Sequence, residues 1–243
     1  MRLRLLLAVC LLAATAGAQE TFTTTTVPAV GTMFGPGVLW KTDVEVVNDT
    51  GSAAEVVMEL VTAPEAPAIF FDLGPGEAKR FPDVIGQAFG LPSALSPLRV
   101  TTGARRAMTV RATVYGIHNG EVSKPQPVTV YQGQNYYPLR ALDGLNFTDE
   151  YRTNIGLVNF GAAPAEFLLA LQRVPGRNLA VTYMTVEPNS LAHMSIQSIF
   201  PLISQGEGFS VLIETQSRDT YVYASVVDNE QTGRFIAPRI GVR

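Results

Sequence analysis

Apolar and polar residues alternate with a period of two along much of the chain. Trp40, Thr42, Val44 and Val46 fall on one side of an extended segment, with Lys41, Asp43 and Glu45 on the other. This alternation predicts a strand with one buried and one wet face. Tyr151, Thr153, Ile155 and Leu157 repeat it, with Arg152 and Asn154 on the wet side. Following strands are predicted at 55–61 and 166–172, turning Val56, Met58, Leu60 and Phe167, Leu169, Leu171 inward. Third strands at 69–73 and 181–186 end at Pro75 and Pro188, and Asn48 to Gly51 reads as a turn. Ile85 and Phe89 are four residues apart, as are Ile196 and Phe200, which fits one or two helical turns at a sandwich edge. Hairpins are expected from 98–102 with 108–115 and from 209–214 with 220–227. The Asn119-Gly120 pair is a strong hairpin signal.

The two halves align. Trp40 to Asn48 matches Tyr151 to Asn159, and the match extends through Ala54-Glu55-Val56 against Ala165-Glu166-Phe167. Val110, Ala112 and Val114 then sit opposite Val222, Ala224 and Val226. A Pro-containing segment recurs at Val27 to Gly31, Tyr137 to Ala141 and Ala237 to Gly241, where one unit would close and the next open. Repeats set architecture. About seven short strands per unit of ~110 residues is the immunoglobulin-like pattern. The expectation is an all-β protein, two tandem immunoglobulin-like β-sandwich repeats after a cleaved signal peptide. The boundaries are 1–18 for the signal peptide, 19–140 for the first repeat and 141–243 for the second, with a junction near 135–146.

The N-terminus carries the export signal. Arg2 and Arg4 precede an apolar run from Leu5 to Ala14, and Ala16-Gly17-Ala18 offers small residues for cleavage. The run is shorter than the ~20 residues that span a bilayer. Cys10 would suit a lipoprotein, but Val9 before it is not small. Cleavage after Ala18 removes the single Cys, so the mature chain has no disulfide framework and no thiolate metal site. It also leaves 16 cationic side chains against the 21 acidic ones of the whole sequence, a balance with no attraction to nucleic acid. A secreted or periplasmic protein with no further membrane span is expected. At 16% charged and 47% hydrophobic, with 21 Gly and 16 Pro, the chain is a turn-rich folded protein and not a disordered tail.

The motif W/Y-[KR]-T-[DN]-x-x-x-V-N, at Trp40 to Asn48 and Tyr151 to Asn159, resembles tandem β-sandwich repeats in predicted secreted proteins of soil bacteria. The late segment Tyr223 to Asn229 shares the likeness. That resemblance implies an extracytoplasmic, non-catalytic module and lends no active site.

Candidate chemistry is sparse. His118 and His193 are the available histidine bases, read as a solvated turn residue and an exposed-face residue. No G-x-S-x-G is present for a Ser-His-Asp arrangement. No H-E-x-x-H or calcium-loop motif appears, though Asp228-Asn229-Glu230 clusters oxygen ligands in a turn. Asn48-Asp49-Thr50 and Asn146-Phe147-Thr148 match the glycan sequon. Trp40 and Tyr151 share one phase and are expected to pack in the cores. Tyr136 and Tyr137, in a stretch longer than its counterpart, are the speculative ligand-binding residues, since exposed aromatics stack on sugars or anchor partners. The expected function is a non-catalytic interaction or structural module of the bacterial envelope, binding an envelope protein or glycan and using no cofactor or metal. The alternative is a carbohydrate-binding module using exposed aromatics. A pilus-type chaperone shares the two-domain plan, but no basic pair for an anchoring cleft is evident.

Overall fold

The structure is a computed structural model that describes residues 23–35, 37–104, 108–132, 137–174, 176–228 and 233–240. The expected signal peptide, Cys10, Tyr136, Asn229 and Glu230 lie outside those residues. Antiparallel strands dominate. The first half contains β1 (Thr23–Gly35), β2 (Val38–Val47), β3 (Ala54–Leu60), β4 (Ile69–Leu73), β5 (Ala78–Phe81), β6 (Ala94–Thr102), β7 (Thr109–His118), β8 (Glu121–Val122), β9 (Gln126–Val128) and β10 (Tyr131–Gln132). The second contains β11 (Leu139–Phe147), β12 (Tyr151–Asn159), β13 (Ala165–Val174), β14 (Arg177–Val186), β15 (Ser190–Ser195), β16 (Gly206–Glu214), β17 (Thr220–Asp228), β18 (Gly233–Ile236) and β19 (Arg239–Ile240). No helix among the described residues is long and apolar enough to cross a membrane.

Both halves use one strand order. In the first, β4-β3-β6-β1-β10 forms one layer and β5-β2-β7-β9 the other, with the end of β1 also pairing β2. In the second the layers are β14-β13-β16-β11-β19 and β15-β12-β17-β18. Register repeats too. Val44 faces Ala112 and Val46 faces Val110 in the first half; Ile155 faces Ala224 and Leu157 faces Val222 in the second. Each pair of layers encloses its own apolar core, one built around Val44, Val46, Met58 and Leu98, the other around Ile155, Leu157, Phe167 and Val211. As the alternation required, Val44, Val46, Ile155 and Leu157 are buried, while Lys41 and Glu45 keep part of their surface in water.

The expected helical turns are present in two forms, a π-helix at Val84–Ala88 and a single α-helical turn at Ile196–Ile199. Both lay apolar side chains on a core, Ile85 with Phe89 and Ile196 with Phe200. The recurring Pro-containing segments fall within β1, at the start of β11 and at the start of β19. Pro28 has no N–H for the ladder, and the β1–β6 register shifts between Val27 and Val30. At the His118-Asn119-Gly120 tip, Asn119 and Gly120 both take positive φ (49° and 86°), as a tight hairpin requires, and β8 folds back on β7.

The threonine and the last asparagine of the repeated motif are structural. Thr42 Oγ1 accepts from Gly31 N–H (3.0 Å) and donates to its carbonyl (3.3 Å); Thr153 does the same with Asn146 (3.2 and 2.5 Å). Each threonine therefore staples its strand to the one before it. Asn48 is fully buried, with Nδ2 donating to the carbonyls of Ser52 (2.9 Å) and Leu73 (2.8 Å) and Oδ1 accepting from Thr50 N–H (3.0 Å). Asn159 repeats the arrangement on Ala163 (2.8 Å), Val186 (2.9 Å) and Gly161 (2.8 Å). One amide side chain thus satisfies backbone groups at the end of two strands, and Asn48 is committed to the fold and closed to a glycan. Removing it orphans buried carbonyls. Asn159→Ala is expected to cost about 2–4 kcal/mol in urea unfolding, and Asn48→Ala a similar amount.

A charged network supports the first half alone. Asp83 caps the π-helix in a left-handed conformation (φ 44°) and is buried. Lys41 Nζ donates to its Oδ2 (2.6 Å), Thr32 Oγ1 donates to its Oδ1, and its own N–H donates to Asp43 Oδ1 (2.9 Å). Arg80 closes the set on Asp43 (2.7 Å). Burial pulls the Asp83 pKa upward, but the hydrogen bonds from Lys41, Thr32 and Gly86 outweigh it and hold the carboxyl below its ordinary 3.8. A depressed folded-state value stabilises the protein above pH 3.8, and the contribution is lost as pH falls through the lowered value. Asp83→Asn is expected to lower stability at neutral pH by about 2–4 kcal/mol and to flatten the acid limb of the stability profile, measured by chemical denaturation across pH.

Candidate ligand-binding cleft

β17 is buried on both faces. Val222, Ala224 and Val226 enter the second core, while Tyr221 and Tyr223 on the opposite face join Val158 in a third apolar cluster. Ala29 and Tyr131 of the first half pack against that cluster, as do Phe160 and Phe235. Tyr221 lies 4.7 Å from Tyr131 and 5.2 Å from Phe160 between ring centroids, with the Arg99 guanidinium 5.7 Å from the Phe160 ring. The outer face of the β12–β15–β17 sheet is therefore the surface that meets the first half.

A glycine sets the geometry of that face. Gly156 on β12 pairs with Tyr223 on one side and His193 on the other. A Cβ on Gly156 would stand 2.0 Å from Tyr223 Cε1, so the tyrosine ring lies flat across the space a side chain would fill. Phe235 stacks on Tyr223 (4.9 Å, 15°), and His193 lies near-parallel to the same ring (5.8 Å, 29°), with Nδ1 and the Tyr223 hydroxyl hydrogen-bonded at 2.9 Å. Burial drives the Tyr223 hydroxyl well above its ordinary pKa and pushes His193 below 6.5, so both are neutral.

Beside this row opens a cleft of about 340 Å³. Its first wall is the open end of the first sandwich, with Met33, Trp40, Val114 and Val128. Its second wall is polar, with Arg152, Asn154, His193, Ser225 and Arg234. No carboxylate lines it among the described residues. Trp40 pairs with Gly116 on β7, where a Cβ would lie 3.2 Å from Cζ3, and its Nε1 would lie 3.2 Å from a Cβ on Gly35. The indole thus rests on two glycine backbones with part of its ring open. The expectation of a core tryptophan is corrected here: Tyr151, in the equivalent place, packs on the second core, but Trp40 lies beyond the end of the first. Alternation reports the side of a strand and not how far along it the core extends.

The other singled-out residues fall elsewhere. Tyr137 is exposed and lines a separate hollow of about 270 Å³ with Tyr131, Pro238 and Ile240, sharing no residue with the main cleft. His118 is exposed as expected, with Nδ1 2.7 Å from the Gly37 carbonyl and Nε2 2.8 Å from the Asn119 amide. His193 departs from the exposed-face expectation and lies half-buried at the junction, because the sheet it sits on is covered by the first half. Asp228 is in β17, and no three His, Cys, Asp or Glu side chains group closely enough to hold a metal among the described residues. Nothing along β12 or β18 marks Arg152, Asn154 or Arg234 as lining a cleft: each reads, within its own strand, as part of a solvated face. Comparison with family models, curated proteins and solved structures finds no match to this chain.

Neutral His193 has a pH consequence. A base whose folded-state value is depressed stabilises fully above its ordinary 6.5 and less as pH falls below it, because the unfolded chain takes up the proton more readily. Stability is expected to decline from about pH 7 to 5, and His193→Gln to remove that component, read by thermal unfolding across pH.

Proposed function

We propose that this chain is a non-catalytic, extracytoplasmic binding module of the bacterial envelope, made by duplication of one immunoglobulin-like sandwich. The shared strand order, the repeated register and the matched Thr42/Thr153 and Asn48/Asn159 hydrogen bonds support the duplication. The signal-like N-terminus supports export. The binding reading rests on one observation, a cleft lined by the Trp40 indole and by Arg152 and Arg234, with no carboxylate among the described residues, in a chain whose formal charge is −3; Arg234 also donates to the Gly144 carbonyl, which leaves Arg152 as the cation for a ligand. Pockets of this size with a few convergent polar groups take small ligands. The ligand class is an amphipathic carboxylate, its anion on Arg152 and its apolar body along Trp40. Arginine presents a planar fork suited to a carboxylate.

A second reading, a carbohydrate-binding module, draws on the same indole, since a sugar ring stacks on an open aromatic face beside Asn154 and Ser225. In it the site is Trp40, with Tyr137 at a distance.

Trp40 is the single tryptophan, so its fluorescence reports on the cleft directly. Titration with a medium-chain fatty acid, an aryl carboxylate and a uronic-acid oligosaccharide is expected to shift Trp40 emission saturably. Arg152→Ala is expected to weaken binding about tenfold or more, the loss of one charge-assisted hydrogen bond. A response to neutral oligosaccharides alone would favour the carbohydrate reading, and no response to any of these would reject the cleft as the binding site.

A further inference from the structure

The ten-residue strand β14 closes one edge of its sheet, and its strand neighbour is β13 alone among the described residues. Exposed edges in soluble proteins are usually short, charged, interrupted by proline or covered, since free N–H and C=O groups invite another strand. Two other edges of this protein follow that rule. β4 has five residues and carries Asp72; β5 has four and carries Lys79 and Arg80. β14 does not follow it. Residues 178–186 hold no Lys, Arg, Asp, Glu or Pro. Its outward side chains are apolar and open, Leu179 at 43% exposure, Val181 at 50% and Tyr183 at 76%. Tyr183 faces Leu168 and Val181 faces Ala170 on β13, so the apolar surface continues inward from the edge.

This edge is complementary to itself. A two-fold axis that brings two copies of β14 together antiparallel keeps their odd-numbered residues on one outer face. With Thr182 on the axis, Arg177 of each copy faces Glu187 of the other, Val181 faces Tyr183, and Leu179 faces Thr185. Arg177 and Glu187 are both exposed. Sliding the pair by two residues sets Arg177 against Thr185 or Asn189 and loses both ion pairs. Apolar cross-strand pairs in the middle with opposite charges at both ends are a favourable antiparallel pattern, and the charges select the register.

We propose that β14 docks against β14 of a second copy of this chain, joining two five-stranded sheets into one through a two-fold axis at Thr182. The occupant is a second copy and not a foreign strand, because the Arg177–Glu187 complementarity lies within this sequence. The surface is separate from the cleft, so ligand binding at Trp40 and pairing at β14 stand or fall independently.

Sedimentation velocity of the full chain over a wide concentration range tests it, with circular dichroism and thermal midpoint confirming that each variant is folded. The wild-type protein is expected to reach twice the single-chain mass reversibly. Arg177→Glu, Glu187→Arg and Tyr183→Lys are each expected to weaken the dimer about tenfold or more, and Arg177→Glu combined with Glu187→Arg to restore it. A wild-type chain that stays at single-chain mass throughout overturns the proposal. So does a dimer that ignores all three single substitutions, or a charge-swapped double variant that fails to regain association while remaining folded.

Discussion

The junction of this protein depends on the absence of a side chain at Gly156. That gap lets Tyr223 lie flat on its own sheet, where Phe235 stacks on the ring and His193 meets its hydroxyl. A side chain at Gly156 would meet the tyrosine ring at 2.0 Å and force it outward. That row and its neighbours Tyr221 and Phe160 are what Ala29 and Tyr131 of the first half rest against. The cleft exists because this aromatic contact props one sandwich near the open end of the other without filling the space beside it.

Polar groups serve two purposes in this fold, and their burial separates them. Thr42, Thr153, Asn48 and Asn159 recur because each satisfies backbone groups that strand pairing leaves free. Their chemistry is consumed by the fold. Arg152, Asn154 and Ser225 carry no such duty and face a cavity. The Asp83 network lies between these cases. It is as charged as an active site, yet its groups point at one another and hold a π-helix in place, a structural use of part-buried ion pairs that the second half replaces with a Ser195 cap.

The two halves diverge at the residues that face across the junction. Trp40 and Tyr151 share a register position, but one opens on the cleft and the other packs on a core. Arg80 and His193 sit at matching places, opposite Glu45 and Gly156. Arg80 reaches Asp43 on an exposed face, whereas His193 is covered. A shared framework with different junction residues is what lets two halves of one strand order enclose an asymmetric cleft.

Strands, their buried faces and the match between halves are legible in the residues alone, but strand pairing is not: the segments 98–102 and 108–115, and 209–214 and 220–227, expected to form hairpins, lie in opposite layers. The period-two pattern placed Val44, Val46, Ile155 and Leu157 inside, and the four-residue spacings at Ile85 and Ile196 marked the helical turns. These are local consequences of backbone geometry, and each can be read within ten residues. The strand Thr23–Gly35 was harder to read, since Pro28 and a run of threonines blur its alternation. The cleft was not readable at all. Trp40, Arg152, His193 and Arg234 are scattered over nearly two hundred positions, and each looks on its own strand like a core or surface residue. That the wet face of β12, β15 and β17 is covered emerges from the folded arrangement of the two halves, because covering is a property of which surfaces meet, and no periodicity along a single strand encodes its neighbour.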